Sequence, residues 1–350
     1  MSRSLLVLVT CIGFASNGLL AAEEIGERFA SMSDAIEDRE YRRIEAVLVE
    51  RSGDIVFERY FRRSSADSRI DARSAGKSIT ALAVGIAIDD GVIDGVSAPV
   101  FDYFDDRKPI VDDGTVKRST TIEDLLTMSS ALDCDDWQDS PGNEERMYDT
   151  KDWTRFALDI PLDSDYERDQ TGRGRYSYCT AGVFLLGRIV EQAVGTPFDL
   201  FVQQRLFDPL GIEDPKWTRA PNGEVQTGGQ LSLRARDFAA IGRLVLNGGE
   251  YGGKRLISSG WLRQTLRPLR QATPADAYGY LWWLRGFRYG DQFRGAAYMS
   301  GNGGNKVVLF PDLDTVVVIL STNYNRRNMH QQTTELIEKY ILPALRSEQD

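Results

Sequence analysis

The sequence predicts an α+β fold in which an antiparallel sheet, built from both ends of the chain, is flanked by helices and carries a mainly helical insertion. Strand-like segments occur near both ends, and strongly apolar, helix-like segments fill the middle. The 350 residues, 42% of them hydrophobic, suffice for one large domain or two interlocked lobes. We predict an α/β lobe from residues 23–105 and 265–350, a mainly helical lobe from residues 106–264, and an active-site cleft between them.

The N-terminal half contains helical and strand-like segments in alternation. Ser52-Gly53-Asp54 separates two β-rich runs and is typical of a hairpin turn. Residues 130–176 are rich in Asp, Trp, Gly and Pro and are expected to form long loops. In order, the patterns predict a helix over 23–39, strands over 44–49 and 55–61, a helix over 79–88, a capped short helix over 120–126 and a helix near 152–158.

The C-terminal half is predicted to continue with helices and to return to β structure. Residues 289–291 and 311–314 have the composition of turns between antiparallel strands. The patterns predict helices over 181–193, 198–206 and 232–247, strands over 280–287, 293–299, 306–310 and 315–320, and a final helix over 328–345.

The charge balance is acidic. With 42 Lys and Arg against 52 Asp and Glu, the formal net charge is −10. Such a chain is a poor candidate for binding nucleic acid or an anionic membrane surface. We therefore expect a small molecule, and no nucleic acid, as the partner.

The first 22 residues have the pattern of a secretory signal peptide. Arg3 precedes an apolar core over residues 5–20, and small residues end at Ala22, before an acidic pair. The apolar stretch is too short and too polar for a stable membrane span. Cleavage near Ala22 would give an exported, periplasmic or secreted protein with a net charge of −11, since Arg3 is the one charged residue removed. Lipoprotein anchoring at Cys11 is a less favoured alternative.

Cysteine and histidine usage limits the chemistry. Cys134 and Cys179 remain after signal removal, and two cysteines in an exported chain are paired more often than in a cytosolic one. Two buried free thiols are the alternative. His330 is the single histidine, no Gly-x-Ser-x-Gly motif occurs, and the usual zinc ligand patterns are missing from the sequence. We expect no cofactor and no metal, and a hydrolase of this composition would favour a lysine base.

The segment Ser74-Ala75-Gly76-Lys77 precedes an apolar helix and can supply such a base. Residues three apart on a helix point the same way, and a helix N-terminus favours an oxyanion and disfavours a positive charge. A neutral lysine can accept the proton of a serine hydroxyl, so these four residues can hold a nucleophile and its base. An exposed helix cap followed by a solvated lysine is the alternative.

Several motifs in order resemble the serine hydrolases of the penicillin-binding and class C β-lactamase type, together with the related esterases. The resemblance covers the mature chain. Its motifs are Ser74–Lys77, residues 124–130 (DLLTMSS), residues 178–187 (YCTAGVFLLG), residues 228–237 (GGQLSLRARD) and residues 301–304 (GNGG).

The resemblance implies a mechanism. Ser74 would attack an acyl carbonyl, and Lys77 and Tyr178 would share the base role. The oxyanion would be held by the Ser74 N–H and one N–H of the segment from Gly301, Asn302, Gly303 and Gly304 to Asn305. Water would then hydrolyse the acyl-enzyme.

Two departures from the family pattern affect the expected substrate. Tyr176 and Tyr178 compete for the catalytic tyrosine, and the spacing to the following helix favours Tyr178. Thr180 then stands where asparagine is common, so it can do less to bind a substrate amide and the lysine. The third motif carries Tyr298-Met299-Ser300 without the usual cation, which lowers the case for a carboxylate-bearing β-lactam or peptide.

We therefore expect an esterase-like hydrolase for a small ester, amide or peptide-like substrate. A true β-lactamase or D-Ala-D-Ala carboxypeptidase is the alternative enzyme, and a non-catalytic binding or sensor module is the alternative of another class. Trp282 is a candidate wall of the substrate cleft. Core packing by Tyr178 or Trp282, and a merely flexible turn over residues 301–304, are the competing structural interpretations.

The resemblance also implies a place for the cysteines. Cys179 follows Tyr178, and Cys134 lies in an acidic loop that in this family runs close to that tyrosine. A disulfide between them would hold the loop over residues 133–148 against the active site.

Overall fold

The structure is a computed structural model that describes residues 14–345, and its strands lie near both ends of the chain. β-branched and aromatic residues, which pack well on a pleated surface, dominate the long strands. The strands are β1 (Ile44–Arg51), β2 (Asp54–Tyr60), β3 (Ile70–Asp71), β4 (Lys216–Trp217), β5 (Leu231–Leu233), β6 (Glu250–Tyr251), β7 (Lys254–Arg255), β8 (Arg270–Gln271), β9 (Ala277–Tyr278), β10 (Trp283–Tyr289), β11 (Gln292–Gly301), β12 (Asn305–Phe310) and β13 (Thr315–Ser321).

The two ends of the chain meet in one eight-stranded sheet with the order β2-β1-β13-β12-β11-β10-β9-β8. Strand β1 pairs antiparallel with β13, from Ile44 opposite Ser321 to Arg51 opposite Thr315. The β-branched run of β13 is buried on both faces, as expected for a central strand between two helical layers. The predicted α+β class, with a sheet built from both termini, is therefore confirmed.

Helices flank this sheet and fill the middle of the chain. They are α1 (Phe14–Glu37), α2 (Lys77–Asp89), α3 (Thr115–Arg118), α4 (Ile122–Leu126), α5 (Glu144–Tyr148), α6 (Trp153–Leu158), α7 (Thr180–Val194), α8 (Phe198–Val202), α9 (Asp208–Leu210), α10 (Ala235–Leu246), α11 (Ser259–Thr265), α12 (Met329–Leu336) and α13 (Leu342–Ala344). Shorter 3-10 turns cover Arg73–Gly76, Val100–Arg107 and Pro311–Leu313, and π turns cover Gln203–Phe207 and Ile337–Ile341.

The sheet separates two hydrophobic cores. The larger core joins one face of the sheet to α2, α7 and α10, and the smaller one joins the opposite face to α1 and the C-terminal helices. Helix α10 contacts β1, β12 and β13 directly. The division into lobes at residues 105 and 265 stays a prediction.

The N-terminal helix extends further back than predicted, since α1 begins at Phe14 where the prediction began at residue 23. Of the predicted signal peptide, residues 1–13 lie outside the described part of the chain. Within the described part, no helix is both long and apolar enough to cross a membrane.

Two further predicted boundaries and one loop assignment were wrong. The helix predicted from residue 232 begins at Ala235, because residues 231–233 form β5, which pairs with β3 and β4. The strand predicted from residue 280 begins at Trp283, because Leu281 has a positive φ of 57° and bends the chain first. Helix α5 lies inside the segment predicted as loop. In the first two cases a long-range strand pairing or a local bend outweighs the hydrophobic pattern.

Candidate active site

The serine and lysine of the Ser-x-x-Lys segment lie side by side. Ser74 lies in the 3-10 turn Arg73–Gly76, and Lys77 is the first residue of α2. Lys77 Nζ lies 3.0 Å from Ser74 Oγ, at hydrogen-bond distance. Ser74 is partly exposed, whereas Lys77 is only 1% exposed. The pair thus joins a reachable hydroxyl to a lysine shielded from water, and the alternative of a solvated lysine is wrong.

The start of α7 supplies the next partners of Lys77. Thr180, the first residue of this helix, places Oγ1 2.8 Å from Lys77 Nζ. The backbone carbonyl of Gly228 accepts a third bond from the same nitrogen at 2.6 Å. Lys77 Nζ also lies 4.9 Å from the centroid of the Tyr178 ring. The lysine is therefore held by oxygen atoms from three separate segments of the chain.

The two competing tyrosines differ in their surroundings. Burial raises the pKa of the Tyr178 hydroxyl, while the nearby charge of Lys77 and the Ser74 side chain oppose that rise. Tyr176 packs edge-on against Tyr278, and its buried hydroxyl has no hydrogen-bond partner among the described residues. The structure brings Tyr178, and not Tyr176, to Ser74 and Lys77.

The glycine-rich segment forms the turn between β11 and β12. A Cβ at Gly301 would lie 1.8 Å from the carbonyl oxygen of Ala72, so only glycine fits where β11 meets the Ser74 turn. Gly303 and Gly304 have φ values of 93° and 86°, which glycine adopts without strain. Asn302 lines the same cavity as Ser74, and its side chain bonds to Asn325. This turn therefore passes directly beside the serine.

Aromatic side chains form one wall of the site. Trp137, 57% exposed, stacks on Tyr178 with centroids 5.2 Å apart and planes 8° apart. Trp283 also stacks on Tyr178, at 6.0 Å. Trp282, the tryptophan singled out in the sequence, is fully buried in the larger core. The structure therefore does not bring Trp282 to the site, because its side chain packs in the core just before β10 begins at Trp283.

The cavity at Ser74 carries more acidic than basic side chains. Glu144 and Glu145, both on α5, line it together with Arg73. Arg73 is already paired with Asp71 at 3.2 Å and lies over the Tyr324 ring at 4.5 Å. Glu144 accepts a hydrogen bond from the Tyr148 hydroxyl at 2.8 Å. The lining thus carries two carboxylates and one guanidinium, and that guanidinium is already paired.

Sequence reasoning missed three contributors to the site: the carbonyl of Gly228, the ring of Trp137 and the carboxylate of Asp136. Asp136 accepts a hydrogen bond from the backbone N–H of Thr180 at 2.7 Å, at the N-terminus of α7. The Asp135-Asp136-Trp137 run directly after Cys134 was the available signal. The contacts of Asp136 with Thr180 and of Trp137 with Tyr178 join residues more than 40 positions apart, so no local sequence pattern predicts them.

The predicted cysteine pair lies next to the tyrosine. Cys134 and Cys179 form a disulfide in the structure, with Cα atoms 5.4 Å apart and a sequence separation of 45. Asp136 N also bonds to Tyr178 O at 2.8 Å, and Ser177 Oγ to Cys134 O at 2.7 Å. The acidic loop is therefore held against residues 177–179, which directly precede α7. Formation of the bond in the exported protein stays a prediction.

Comparison with known proteins agrees with this arrangement. A family model described as Beta-lactamase matches residues 34–340. The 6-aminohexanoate-dimer hydrolase of Paenarthrobacter ureafaciens is 29% identical over 296 residues, which cover 79% of this chain and 72% of that protein. The lovastatin esterase of Penicillium rubens is 27% identical over 188 residues, which cover 50% of this chain and 46% of the esterase.

A solved structure has the same fold. The protein described as a putative 6-aminohexanoate-dimer hydrolase from Bacillus anthracis superimposes with a TM-score of 0.69 at 19% identity, over 87% of this chain and 80% of that one. At that identity the likeness concerns the fold alone. Because the family model spans nearly the whole chain, this protein belongs to the Beta-lactamase family of serine hydrolases, with amidase and esterase relatives.

Proposed function

We propose that this chain is an esterase-like or amidase-like serine hydrolase that works through an acyl-enzyme on Ser74. The observation that supports this most is the 3.0 Å contact between Lys77 Nζ and Ser74 Oγ in a buried setting. Lys77 and the neighbouring Tyr178 share the proton transfers, which general acid–base catalysis requires on both acylation and deacylation.

The oxyanion has two proposed donors. One is the Ser74 N–H, at the head of α2, and the other is an N–H of the turn from Gly301 to Asn305. The close approach of Gly301 to the Ser74 turn supports this, since donors must lie near the developing charge. Asn302 and the Gly303-Gly304 pair keep the turn in the shape that allows the approach. Thr180 replaces the family's asparagine as a partner of Lys77.

The charge of the cavity favours neutral or amine-bearing substrates. Glu144 and Glu145 line it, and Arg73 is committed to Asp71. Met299, at the position where a cation would bind a substrate carboxylate, is fully buried. A carboxylate-bearing β-lactam or D-Ala-D-Ala peptide would meet repulsion here. An amide that bears an amine and no carboxylate would meet attraction.

We further propose that the protein is exported and loses its first 22 residues. The basic start, apolar core and small residues before Glu23 support this, as does a disulfide near the active site. Mass determination of the protein from a periplasmic or culture fraction tests it. A mature N-terminus near residue 23 is expected, and an intact chain retained in the cytoplasm would contradict it.

A substrate panel tests the hydrolase assignment. We expect turnover of short-chain p-nitrophenyl esters, little turnover of nitrocefin or D-Ala-D-Ala peptides, and none by Ser74→Ala. Two anilides of equal length test the charge preference, one ending in an amine and the other in a carboxylate; the amine should be the better substrate. Full activity in Ser74→Ala would contradict the nucleophile. No turnover and no acylation by any agent would favour a binding module, and rapid nitrocefin turnover a true β-lactamase.

A further inference from the structure

The carboxylate of Asp136 connects two helix starts beside the catalytic lysine. Its Oδ2 accepts from the backbone N–H of Thr180 at 2.7 Å, and its Oδ1 accepts from the backbone N–H of Glu144 at 2.9 Å. The backbone N–H of Asp136 bonds in turn to the carbonyl of Tyr178 at 2.8 Å. A carboxylate at helix N-termini is stabilised by the free N–H groups there. Asp136 is therefore fixed against the segment that carries the tyrosine and the threonine.

The hydrogen bonds of Lys77 constrain how it can act as a base. As a neutral amine it has two N–H donors and one lone pair, and the lone pair must face the Ser74 hydroxyl. The donors are then directed at Gly228 O and Thr180 Oγ1, which lie 2.6 and 2.8 Å away. Because Thr180 Oγ1 accepts from Lys77, the threonine's own O–H needs another acceptor. The Asp136 carboxylate, whose Oδ2 accepts from the backbone N–H of the same threonine at 2.7 Å, is placed to be that acceptor.

We propose that Asp136 is a positioning residue that acts on Lys77 through the Thr180 hydroxyl, completing a Ser74–Lys77–Thr180–Asp136 hydrogen-bond chain. The role rests on the proposed function of Ser74 and Lys77. When Ser74 Oγ bonds to the acyl carbon, its proton moves to Lys77 Nζ and the carbonyl π electrons move to the oxygen. When the carbonyl re-forms, the bond from the acyl carbon to the leaving group breaks, and the leaving group takes the proton from Lys77 Nζ, which restores the neutral amine. The negative charge of Asp136 stabilises the lysine cation that exists between these steps.

The proposed hydrogen-bond chain explains how a threonine can stand in place of the family's asparagine. An amide offers both an acceptor and a donor, and so does a hydroxyl. The threonine side chain is shorter than that of asparagine, however, and its hydroxyl directs a single proton to one acceptor. With Asp136 as that acceptor, Thr180 Oγ1 is oriented to receive the N–H of Lys77.

The ionisation of Asp136 depends on the groups around it. Burial and the neighbouring Glu144 raise the pKa of the Asp136 carboxyl to about 6, while Lys77 and Thr180 oppose the rise. Tyr148 and Tyr178, the other titratable groups within reach, have raised pKa values and stay neutral at pH 5–8. The carboxylate is therefore charged at pH 7.5 and becomes protonated as the pH falls through about 6.

The test compares Asp136→Asn with Asp135→Asn. Asp135 lies in the same loop and loses the same charge, but its side chain bonds to Trp137 N and Gln138 Nε2. The readouts are kcat/KM for a p-nitrophenyl ester and the rate of Ser74 labelling by a fluorophosphonate, from pH 5 to 8. We expect Asp136→Asn to be slower by about tenfold to a hundredfold at pH 7.5 and to lack the fall near pH 6. The wild type and Asp135→Asn should keep that fall.

Substitutions at Thr180 keep the proposal testable if Asp136→Asn folds poorly. Thr180→Val removes the hydroxyl and should behave like Asp136→Asn, whereas Thr180→Ser keeps the hydroxyl and should recover most of the rate that Thr180→Val loses. Equal rates and equal pH profiles for Asp136→Asn and Asp135→Asn, or a fully active Thr180→Val, would overturn the role of Asp136. A wild-type chain that no agent acylates would instead overturn the proposed function.

Discussion

Two lysines are buried on opposite sides of the main sheet, and only one of them lies beside the proposed nucleophile. Lys77 is 1% exposed and contacts three oxygen atoms, one of them the Ser74 hydroxyl. Lys306, on β12, is 3% exposed and contacts His330 Nδ1 at 3.4 Å and the Tyr298 ring at 5.2 Å. Burial alone therefore does not make a catalytic base; a lysine also needs a nucleophile within reach.

The electrostatics of Lys306 sharpen the contrast. Burial, with a smaller effect of Arg285, lowers the pKa of Lys306 to about 7, and Asp276 opposes the shift. Burial and the charge of Lys306 lower the pKa of His330 to about 3. Perturbed ionisation is often a sign of function. Here it occurs on the face that packs against α12, away from the face that meets the Ser74 turn.

The largest expected effect comes from replacing each lysine in turn. Lys77→Ala should lower kcat/KM for an ester by at least about a thousandfold, since the base is lost. Lys306→Met, which removes an equally buried lysine, should stay within about threefold of wild type. Steady-state kinetics on both variants measure this, with thermal unfolding as the control for folding. Comparable losses of kcat/KM in Lys77→Ala and Lys306→Met would contradict the different roles assigned to the two lysines.

The next largest expected effect tests which of the two tyrosines takes part in proton transfer. Tyr178→Phe should slow turnover by about 10²–10⁴-fold, the range for loss of a group that transfers a proton. Tyr176→Phe removes a hydroxyl that has no partner among the described residues, so it should have little effect on kcat. If Tyr176→Phe were the slower variant, the spacing argument that selects Tyr178 would be wrong.

The disulfide should stabilise the reactive face in particular. Counting free thiols on denatured, periplasmically produced protein should find none, with a peptide that links Cys134 to Cys179. Reduction should lower the free energy of unfolding by about 2–4 kcal/mol and lower activity, because the loop that carries Asp136 and Trp137 is released. Two reactive thiols on the mature chain would contradict this prediction.

The smallest expected effect is on the free energy of unfolding and comes from Lys306, on the opposite side of the sheet. With a pKa near 7 in the folded state and an ordinary value in the unfolded state, Lys306 binds more protons when unfolded above about pH 7. Its contribution to the free energy of unfolding therefore rises from pH 7 to pH 9, by about 1–3 kcal/mol. His330 is neutral in the folded state and mostly neutral in the unfolded state over this window, so it adds little to the rise. Urea unfolding should show the rise in wild type and a smaller one in Lys306→Met; equal rises would contradict the lowered pKa.

The sequence predicts those parts of the site that depend on local spacing. Ser74 and Lys77 are three residues apart at a helix start, and the distance from Tyr178 to the following apolar helix selects it as the candidate tyrosine. The sheet from both termini also follows from the order of strand-like segments. These features are carried by neighbouring residues, so a single sequence contains them.

The remaining parts of the site depend on contacts between distant segments. Gly228 O and Asp136 reach Lys77 and Thr180 only after the chain folds, and a backbone carbonyl has no sequence signal. The choice between Trp282 and Trp283 depends on which face each residue takes. Because Leu281 has a positive φ, the chain bends there and β10 begins only at Trp283. An apolar run in the sequence does not predict that bend.

Covalent labelling of Ser74 tests the central claim most directly. The protein is treated with a fluorophosphonate, digested, and the modified residue is identified by mass spectrometry. We predict one adduct, on Ser74, that forms at similar rates in wild type and Lys306→Met, forms at least about a hundredfold more slowly in Lys77→Ala, and is missing in Ser74→Ala. An adduct on another residue, or equal labelling rates in Lys77→Ala and Lys306→Met, would contradict the assignment of Ser74 and Lys77 as nucleophile and base.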